Sequence, residues 1–217
     1  MPRFTILLGA LLSACAPAAE PPRTAAVAAP VAAAPAAAAP VAPNSSSALV
    51  IRNYGGAELV SVQPGPDGLV TVAFDANGQK TTLVGKMSDP AKRKYRSGDA
   101  VLFETKWDDD GFKLRSPDGA LLYKVKLKDD KIKVSDNEEN ANPFELKTRG
   151  GDRIKLVAPG DKEIGNVRGT VVEDGAGKKM FEATGRPGSA GYAVLLLDKI
   201  PPAQRYIILA ELFMRGK

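Results

Sequence analysis

Cys15 is the only thiol in a chain of 217 residues that contains no histidine. A serine or cysteine nucleophile therefore has no imidazole base, and zinc has no imidazole ligand. A single thiol also excludes an internal disulfide and a cysteine-ligated metal cluster. The spacings Ser-x-x-Lys, Gly-x-Ser-x-Gly and Gly-x-Gly-x-x-Gly do not occur, and neither does a phosphate-binding loop. We expect a protein that is not an enzyme and that carries no cofactor and no metal.

The residues ahead of Cys15 have the pattern of an export signal. Arg3 supplies one positive charge, and residues 4–12 form an apolar run shorter than the ~20 residues that span a bilayer. The run leads into a motif made of Leu12, Ser13, Ala14 and Cys15. This motif resembles the lipobox of bacterial lipoproteins, in which a leucine stands three places before a lipid-bearing cysteine.

The lipobox resemblance implies both a processing route and a location. In that family the cysteine receives a diacylglycerol, the peptide is cut just before it, and the new amino terminus is acylated, for example with palmitate. Residues 1–14 would then be a signal peptide and Cys15 the lipid attachment site. One acyl chain binds only marginally, at ~0.8 kcal/mol per methylene, so a stable anchor needs two or three chains. The alternative is an ordinary cleaved signal peptide.

The position after the cysteine bears on the destination. Ala16 stands where an aspartate would resemble retention at the inner membrane, so the sequence resembles proteins sorted to the outer membrane of bacteria with two membranes. We expect an exported, membrane-anchored protein of the cell envelope that faces either the periplasm or the cell surface.

Residues 15–48 are almost entirely alanine, proline and valine. The repeated prolines interrupt any continuous helix, and no spaced apolar pattern offers a core face. If the segment is largely polyproline II, it reaches ~100 Å at about 3.1 Å per residue. We predict a disordered linker that holds a folded domain away from the lipid headgroups.

The remaining segment, residues 49–217, consists of short alternating runs separated by turn dipeptides such as Asn77-Gly78 and Asp118-Gly119. Asn-Gly and Asp-Gly supply the positive φ that tight hairpins need. The predicted strands are residues 48–54, 57–63, 69–75, 79–87, 92–96, 100–107, 112–116, 120–128, 131–135, 143–149, 152–158, 162–173 and 178–184. The pattern predicts a mainly β fold, an antiparallel meander that closes into a barrel-like domain.

The carboxyl end predicts one or two buried helices. Ser189 is placed to cap a segment that runs over residues 190–199, and Pro201-Pro202 starts a second helix that stops at Gly216. Apolar residues lie on most sides of both segments, which predicts burial rather than a surface stripe. Residues 190–199 also fit a buried strand, because periodicity does not separate the two for so short a run.

The clearest hairpin joins residues 123–128 to residues 131–134 through Asp129-Asp130. A two-residue turn pairs Lys128 with Lys131, Lys126 with Lys133, Leu127 with Ile132 and Val125 with Val134. One face is then aliphatic and the other is lysine. Like charges directly across a ladder are destabilising, so the lysine face requires acidic neighbours, open solvent or an anionic ligand. The candidate anion-binding residues are Lys124, Lys126, Lys128, Lys131 and Lys133. The alternative is a solvated face that discourages edge-to-edge aggregation.

Three other features have simpler interpretations. The basic run Lys92–Arg96 is expected to be an exposed strand with gatekeeper charges, although next to phospholipid it would add surface attraction. Residues 108–111 lack the alternate acids of a calcium loop and predict a hairpin turn. Trp107 is expected to be a core or lid residue.

Residues 95–200 also resemble the superfamily of tubby C-terminal domains, phospholipid scramblases and plant LURP-one-related proteins. The matching residues are Phe112-Lys113-Leu114-Arg115 with Asp118-Gly119 and Tyr123-Lys124-Val125, the echo Ile154-Lys155-Leu156 with Ile164-Gly165-Asn166-Val167, and Ala193-Val194-Leu195-Leu196-Leu197-Asp198. The resemblance implies a twelve-strand barrel around a hydrophobic helix. The scramblases' palmitoylated cysteine cluster is absent, which argues against lipid translocation, and their relatives' phosphoinositide-binding lysines have no assigned counterpart here.

These observations lead to one main functional hypothesis and two alternatives. The main hypothesis is a membrane-anchored envelope lipoprotein that presents a non-enzymatic barrel-like binding module for an anionic lipid, a glycan or an envelope protein, and not for nucleic acid. The first alternative is a structural envelope lipoprotein without a small ligand. The second is a carboxylate-based hydrolase of envelope glycans, which needs two acids converging in one cleft.

Overall fold

A computed structural model of the chain describes residues 48–76 and 78–217. The predicted signal peptide, Leu12, Ser13, Ala14, the proposed lipid attachment at Cys15 and nearly all of the predicted linker lie outside the described residues. No helix in the described part of the chain is long and apolar enough to cross a membrane.

The described residues form a closed barrel of fourteen antiparallel strands, each paired with its neighbours in sequence. The strands are β1 (Leu49–Asn53), β2 (Glu58–Pro64), β3 (Val70–Ala76), β4 (Gln79–Asp89), β5 (Lys92–Ser97), β6 (Ala100–Asp108), β7 (Gly111–Arg115), β8 (Leu121–Leu127), β9 (Lys131–Ser135), β10 (Phe144–Arg149), β11 (Arg153–Ala158), β12 (Lys162–Arg168), β13 (Val171–Asp174) and β14 (Lys179–Ala183). The barrel closes where Ile51 of β1 lies opposite Ala183 of β14. The predicted mainly β meander that closes into a barrel is confirmed.

The prediction was wrong for residues 162–173, which form two strands rather than one. β12 ends at Arg168, and β13 returns antiparallel from Val171, so that Arg168 lies opposite Val171. Gly169 makes the reversal with a φ of +59°, a conformation that L side chains rarely adopt. This division raises the thirteen predicted strands to fourteen in the described barrel, which is two more than the twelve implied by the tubby-like resemblance.

Alternation along each strand separates the barrel's two faces. In β3, for example, Val70, Val72 and Phe74 are buried, while the residues between them are partly exposed. Burying such a side chain contributes about 1.5–3 kcal/mol each. One inward position must be glycine, because a Cβ on Gly165 would lie 2.7 Å from Cδ1 of Leu196 and 2.2 Å from the carbonyl oxygen of Glu173.

The carboxyl-terminal segments fill the barrel. A 3₁₀ helix, Ala190–Leu196, is buried at all seven residues and packs against β10 to β13. It settles the choice between helix and strand for this segment. It is shorter than the predicted helix over residues 190–199, and Ser189 does not cap it, because the Ser189 hydroxyl donates to the carbonyl of Lys217 instead.

The second predicted helix is present as α1 (Pro202–Met214), which begins at a proline and ends just before Gly216. Its residues from Tyr206 to Leu212 are buried, and it packs against the 3₁₀ helix, β2 and β3. Arg205 ties the two helices together by donating to the carbonyl of Leu195, at 3.1 Å. The predicted burial of the carboxyl end is confirmed.

Candidate functional site

Glu211 of α1 is a fully buried carboxylate at the centre of a polar cluster. Its Oε1 accepts hydrogen bonds from the Tyr95 hydroxyl at 2.9 Å and the Thr105 hydroxyl at 2.7 Å. Its Oε2 accepts one from the indole N–H of Trp107 at 2.8 Å and lies 2.6 Å from the Arg93 guanidinium. Four groups of the barrel wall thus converge on one helix side chain.

The antiparallel pairing of β5 and β6 brings these groups together. Arg93 lies directly opposite Thr105, and Tyr95 and Trp107 each stand two residues further along their strands on the same inward face. The expectation of an exposed strand over Lys92–Arg96 was therefore wrong for Arg93 and Tyr95, which are 6% and 0% exposed. The strict alternation of Arg93 and Tyr95 with the outward Lys92, Lys94 and Arg96 was the sequence signal that these two side chains point inward. Trp107 is confirmed as a core residue.

The surroundings hold these groups in defined charge states. Burial acts to lower the pKa of Arg93, but the charges and hydrogen bonds of its neighbours, Glu211 foremost and then Tyr95, together outweigh it, so that the pKa lies above its ordinary value. Burial and the same carboxylate raise the pKa of Tyr95 well above 10.0. Arg93 therefore stays a cation and Tyr95 a neutral donor at physiological pH. A second cation, Arg215, stacks 3.7 Å from the centroid of the Trp107 ring, where burial lowers its pKa.

This buried cluster offers little catalytic chemistry. Glu211 is the one buried acid among the described residues, and both of its oxygens already accept from protein donors. The described chain also contains no group of three or more acids, cysteines or histidines placed to hold a metal ion. The cluster is a buried set of hydrogen bonds and one ion pair that joins the terminal helix to the barrel wall.

On the outer surface, the predicted lysine hairpin is present in the predicted register. Lys126 lies opposite Lys133 and Val125 opposite Val134 across β8 and β9. The turn at residues 129–130 is closed by the amide of Lys128, which donates to the carbonyl of Lys131 at 2.9 Å. On the aliphatic face Val125, Ile132 and Val134 are buried and Leu127 is partly buried, and the lysine face lies on the outside of the barrel.

Acidic neighbours from other strands and loops contact most of the five predicted anion-binding lysines. Glu145 of β10 lies 3.1 Å from Lys133 and 3.8 Å from Lys131. Asp110 lies 3.2 Å from Lys126, and the Glu138 carboxylate 3.9 Å from Lys124. Lys128 is exposed and has no ion-pair partner in the described part of the chain. The requirement for acidic neighbours is thus largely met by the fold itself.

Glu145 shows how strongly the fold concentrates positive charge here. Hydrogen bonds from Lys147 and then Lys133, together with the nearby charge of Lys131, lower the pKa of Glu145 to about 2.

A shallow depression of about 310 Å³ opens beside the turn between β8 and β9. It is lined by Asp110, Lys126, Leu127, Lys128 and Asp129. Both signs of charge line it, so it has no clear preference for an anion.

Strand pairing extends the basic surface well beyond the hairpin. Outward basic residues stand directly opposite one another on adjacent strands in three rows. The first row is Lys92, Lys106, Lys113 and Lys124 on β5 to β8, the second is Lys131, Lys147 and Lys155 on β9 to β11, and the third is Arg149, Arg153 and Arg168 on β10 to β12. The sequence prediction missed these rows, because each row depends on the registers of two or more successive hairpins, and the sequence prediction fixed the register of only one hairpin.

Comparison with protein-family models, with curated proteins and with solved structures found no match for this chain. The fold and surface therefore define the class of protein: a closed antiparallel barrel, filled by its own carboxyl-terminal helices, with cross-strand rows of basic residues outside. The tubby-like resemblance stays a prediction.

Proposed function

We propose that this chain is a membrane-anchored lipoprotein of the cell envelope whose linker presents a non-enzymatic binding module for an anionic partner. The observation that carries the proposal is the occupied interior of the barrel. Because the chain's own helices fill that space, a partner has to bind the outer surface. That surface is rich in lysine and arginine over the central strands.

The buried carboxylate supports a non-enzymatic role. Glu211 is surrounded by Tyr95, Thr105, Trp107 and Arg93, which leaves no free carboxylate oxygen facing solvent. A glycan hydrolase needs two acids converging across a cleft. Nothing in the described core pairs a second acid with Glu211.

The lysine hairpin supports an anionic partner. Acidic neighbours offset much of the repulsion between the lysines across this ladder, and an anion placed against the face relieves what remains around Lys128. Lys128 is exposed at the hairpin tip, where a partner can reach it. The opposite hairpin face forms part of the core, so its lysine face is held in place by packing.

Charge reversal tests the binding proposal. We expect the triple variant Lys126→Glu, Lys128→Glu and Lys133→Glu to lose at least about tenfold in affinity for anionic ligands displayed on lipid and glycan arrays. The matched control is Lys80→Glu, Lys178→Glu and Lys199→Glu, three exposed lysines on other parts of the barrel. Unchanged binding by the first variant would refute an anion-binding role for the hairpin.

Anchoring is tested separately at Cys15. Intact-mass measurement of the membrane-extracted protein should give the mass of a chain that begins at Cys15 and carries acyl chains, and Cys15→Ser should abolish that product. A mature mass without lipid would contradict the anchor while leaving the binding proposal standing.

A structural role is the second candidate function, and the ion pairs favour it. Glu145 lies within 4 Å of Lys131, Lys133 and Lys147, so much of the basic surface is already neutralised by the protein itself. A purely structural lipoprotein predicts weakened envelope integrity on deletion, restored equally by the wild type and by the hairpin charge-reversal variant. Restoration by the wild type alone would favour the binding module.

A further inference from the structure

The three basic rows and the pair Lys126 and Lys133 form one continuous surface, here called the basic band. The band lies on the outside of β5 to β12, eight of the fourteen strands of the described barrel. Its rows run across the strands rather than along them. Since neighbouring strands are about 4.8 Å apart, each row places one positive charge about every 4.8 Å around the wall.

The band carries more positive charge than its acidic partners neutralise. Nine of its twelve basic residues form ion pairs, and they share only seven acids of the described chain: Glu104, Asp110, Glu138, Glu145, Asp161, Glu163 and Glu173. Lys106, Arg149 and Arg153 have no ion-pair partner among the described residues, and Lys106 lies between Lys92 and Lys113 in its row.

The arginine row is the least compensated part of the band. Arg149 lies directly opposite Arg153, and Arg153 directly opposite Arg168, so that three arginines stand at paired positions on adjacent strands. All three residues are exposed. Arg168 alone of the three forms an ion pair with an acid of the described chain, in which Oε2 of Glu173 lies 3.4 Å from Nε of Arg168. Guanidinium groups bind carboxylates in a two-point fork, which suits this row to carboxylate groups spaced along a chain.

The curvature of the barrel selects the shape of the partner. Eight of fourteen strands cover more than half of a closed wall, so a flat membrane touches only a narrow strip of the band. A small anion contacts one row at most. A flexible linear polymer can follow the rows around the wall and contact several of them at once.

The end of the barrel also disfavours docking on an anionic membrane. The arginine row lies at one end of the barrel, and the turns between β6 and β7 and between β8 and β9 lie at that same end. These two turns carry Asp109-Asp110 and Asp129-Asp130. These exposed acids would face an anionic lipid surface if that end approached it, and the resulting repulsion opposes such docking.

We infer that the basic band binds a linear acidic polysaccharide that crosses the strands from β5 to β12. This inference rests on the proposed function, since export places the domain among envelope glycans. The lysine rows supply positive charge without strict geometry, and the arginine row supplies two-point contacts to carboxylates. Affinity then comes from many weak contacts along one chain, and it depends on the length of that chain.

The test measures binding of the full lipidated chain, in detergent, to oligogalacturonates of increasing length and to polygalacturonate. We expect affinity to rise with length until the polymer spans the band, and to fall with added salt. The variant Arg149→Gln, Arg153→Gln and Arg168→Gln should reduce affinity for the long polymer by about tenfold or more and affinity for the shortest oligomer much less. Because the change removes like-charge repulsion, its melting temperature should not fall, which separates lost binding from lost folding.

Each alternative result has a defined meaning. Affinity that does not change with length, or equal binding by the arginine variant, overturns the band while the lysine hairpin remains a candidate site. Binding to phosphatidylglycerol vesicles that exceeds binding to neutral phosphatidylcholine vesicles, and that the arginine variant loses, overturns it in favour of a membrane surface, because the acyl anchor enters both kinds of vesicle alike. Failure of the wild type to bind any of these anions refutes both the band and the proposed anionic partner.

Discussion

The two faces of β5 and β6 carry the same kinds of charge in opposite surroundings. Inside the barrel, Arg93 and Glu211 are paired at 2.6 Å with side chains only 8% and 1% exposed. Outside, Lys92 and Glu104 are paired at 2.9 Å with side chains 31% and 21% exposed. The distances are similar, so the two ion pairs differ in their exposure to solvent rather than in their geometry.

That difference determines what each pair can do. A buried charge depends on its partner, because removing one member leaves the other without water or a counterion. An exposed pair is screened and contributes about 0–1 kcal/mol. The inner cluster therefore specifies how the terminal helix sits in the barrel, whereas the outer charges remain free to exchange their partners for a ligand.

The largest expected effect comes from breaking the inner pair. Glu211→Gln retains the shape of the side chain but leaves Arg93 buried without a counter-charge, and we expect a loss of about 3–5 kcal/mol in unfolding free energy. Urea denaturation measures it. Glu104→Gln, which removes the outer partner of Lys92, is the matched control and should cost less than about 1 kcal/mol. Equal losses in the two variants would show that burial does not distinguish the faces.

A smaller effect is expected from acid titration of the outer wall. The pKa of Glu145 lies at about 2, below its ordinary value of 4.5, so its contribution is fully present above pH 4.5 and is lost as the pH falls through 2. Because the pair faces solvent, that contribution is about 1 kcal/mol. Glu145→Gln should therefore be less stable than wild type at pH 7, with the difference closing between pH 4.5 and pH 2. A constant difference across that range would contradict the assignment.

The smallest expected effect concerns repulsion within the first lysine row. Lys106 lies directly opposite both Lys92 and Lys113, and it has no acidic partner in the described chain. Lys106→Gln should raise stability by about 0.2–1 kcal/mol, because it removes like charges that face each other across the ladder. Thermal unfolding at low and high salt measures this, and the gain should shrink as salt screens the charges. A loss of stability would indicate that the row is compensated.

Local signals in the sequence were sufficient for much of the barrel. The Asp129-Asp130 turn set the register of β8 and β9, because a two-residue hairpin leaves one pairing available. Proline at the start and Gly216 at the end defined α1 in the same way. The signal failed at residues 162–173, where Gly169 and Thr170 formed a reversal inside what looked like one long strand.

The candidate sites were harder to predict than the strands. The lysine hairpin was found because its two-residue turn fixes the register of a single pair of strands. The arginine row was missed, since Arg149, Arg153 and Arg168 line up only when two successive hairpins, β10 with β11 and β11 with β12, are both in register. The acids that neutralise the hairpin come from neighbouring elements for the same reason, as Glu145 illustrates.

By itself the sequence determined the alternation of the strands, the tight turns and the absence of histidine chemistry, because these depend on residue type and short spacing. It also carries the lipobox-like motif at Cys15. Tertiary structure alone decided that Glu211 would be a buried counterion, since its donors Tyr95 and Trp107 lie 116 and 104 residues away along the chain. Only closing the barrel around α1 brings such distant groups within hydrogen-bonding distance and removes the water that would otherwise screen them.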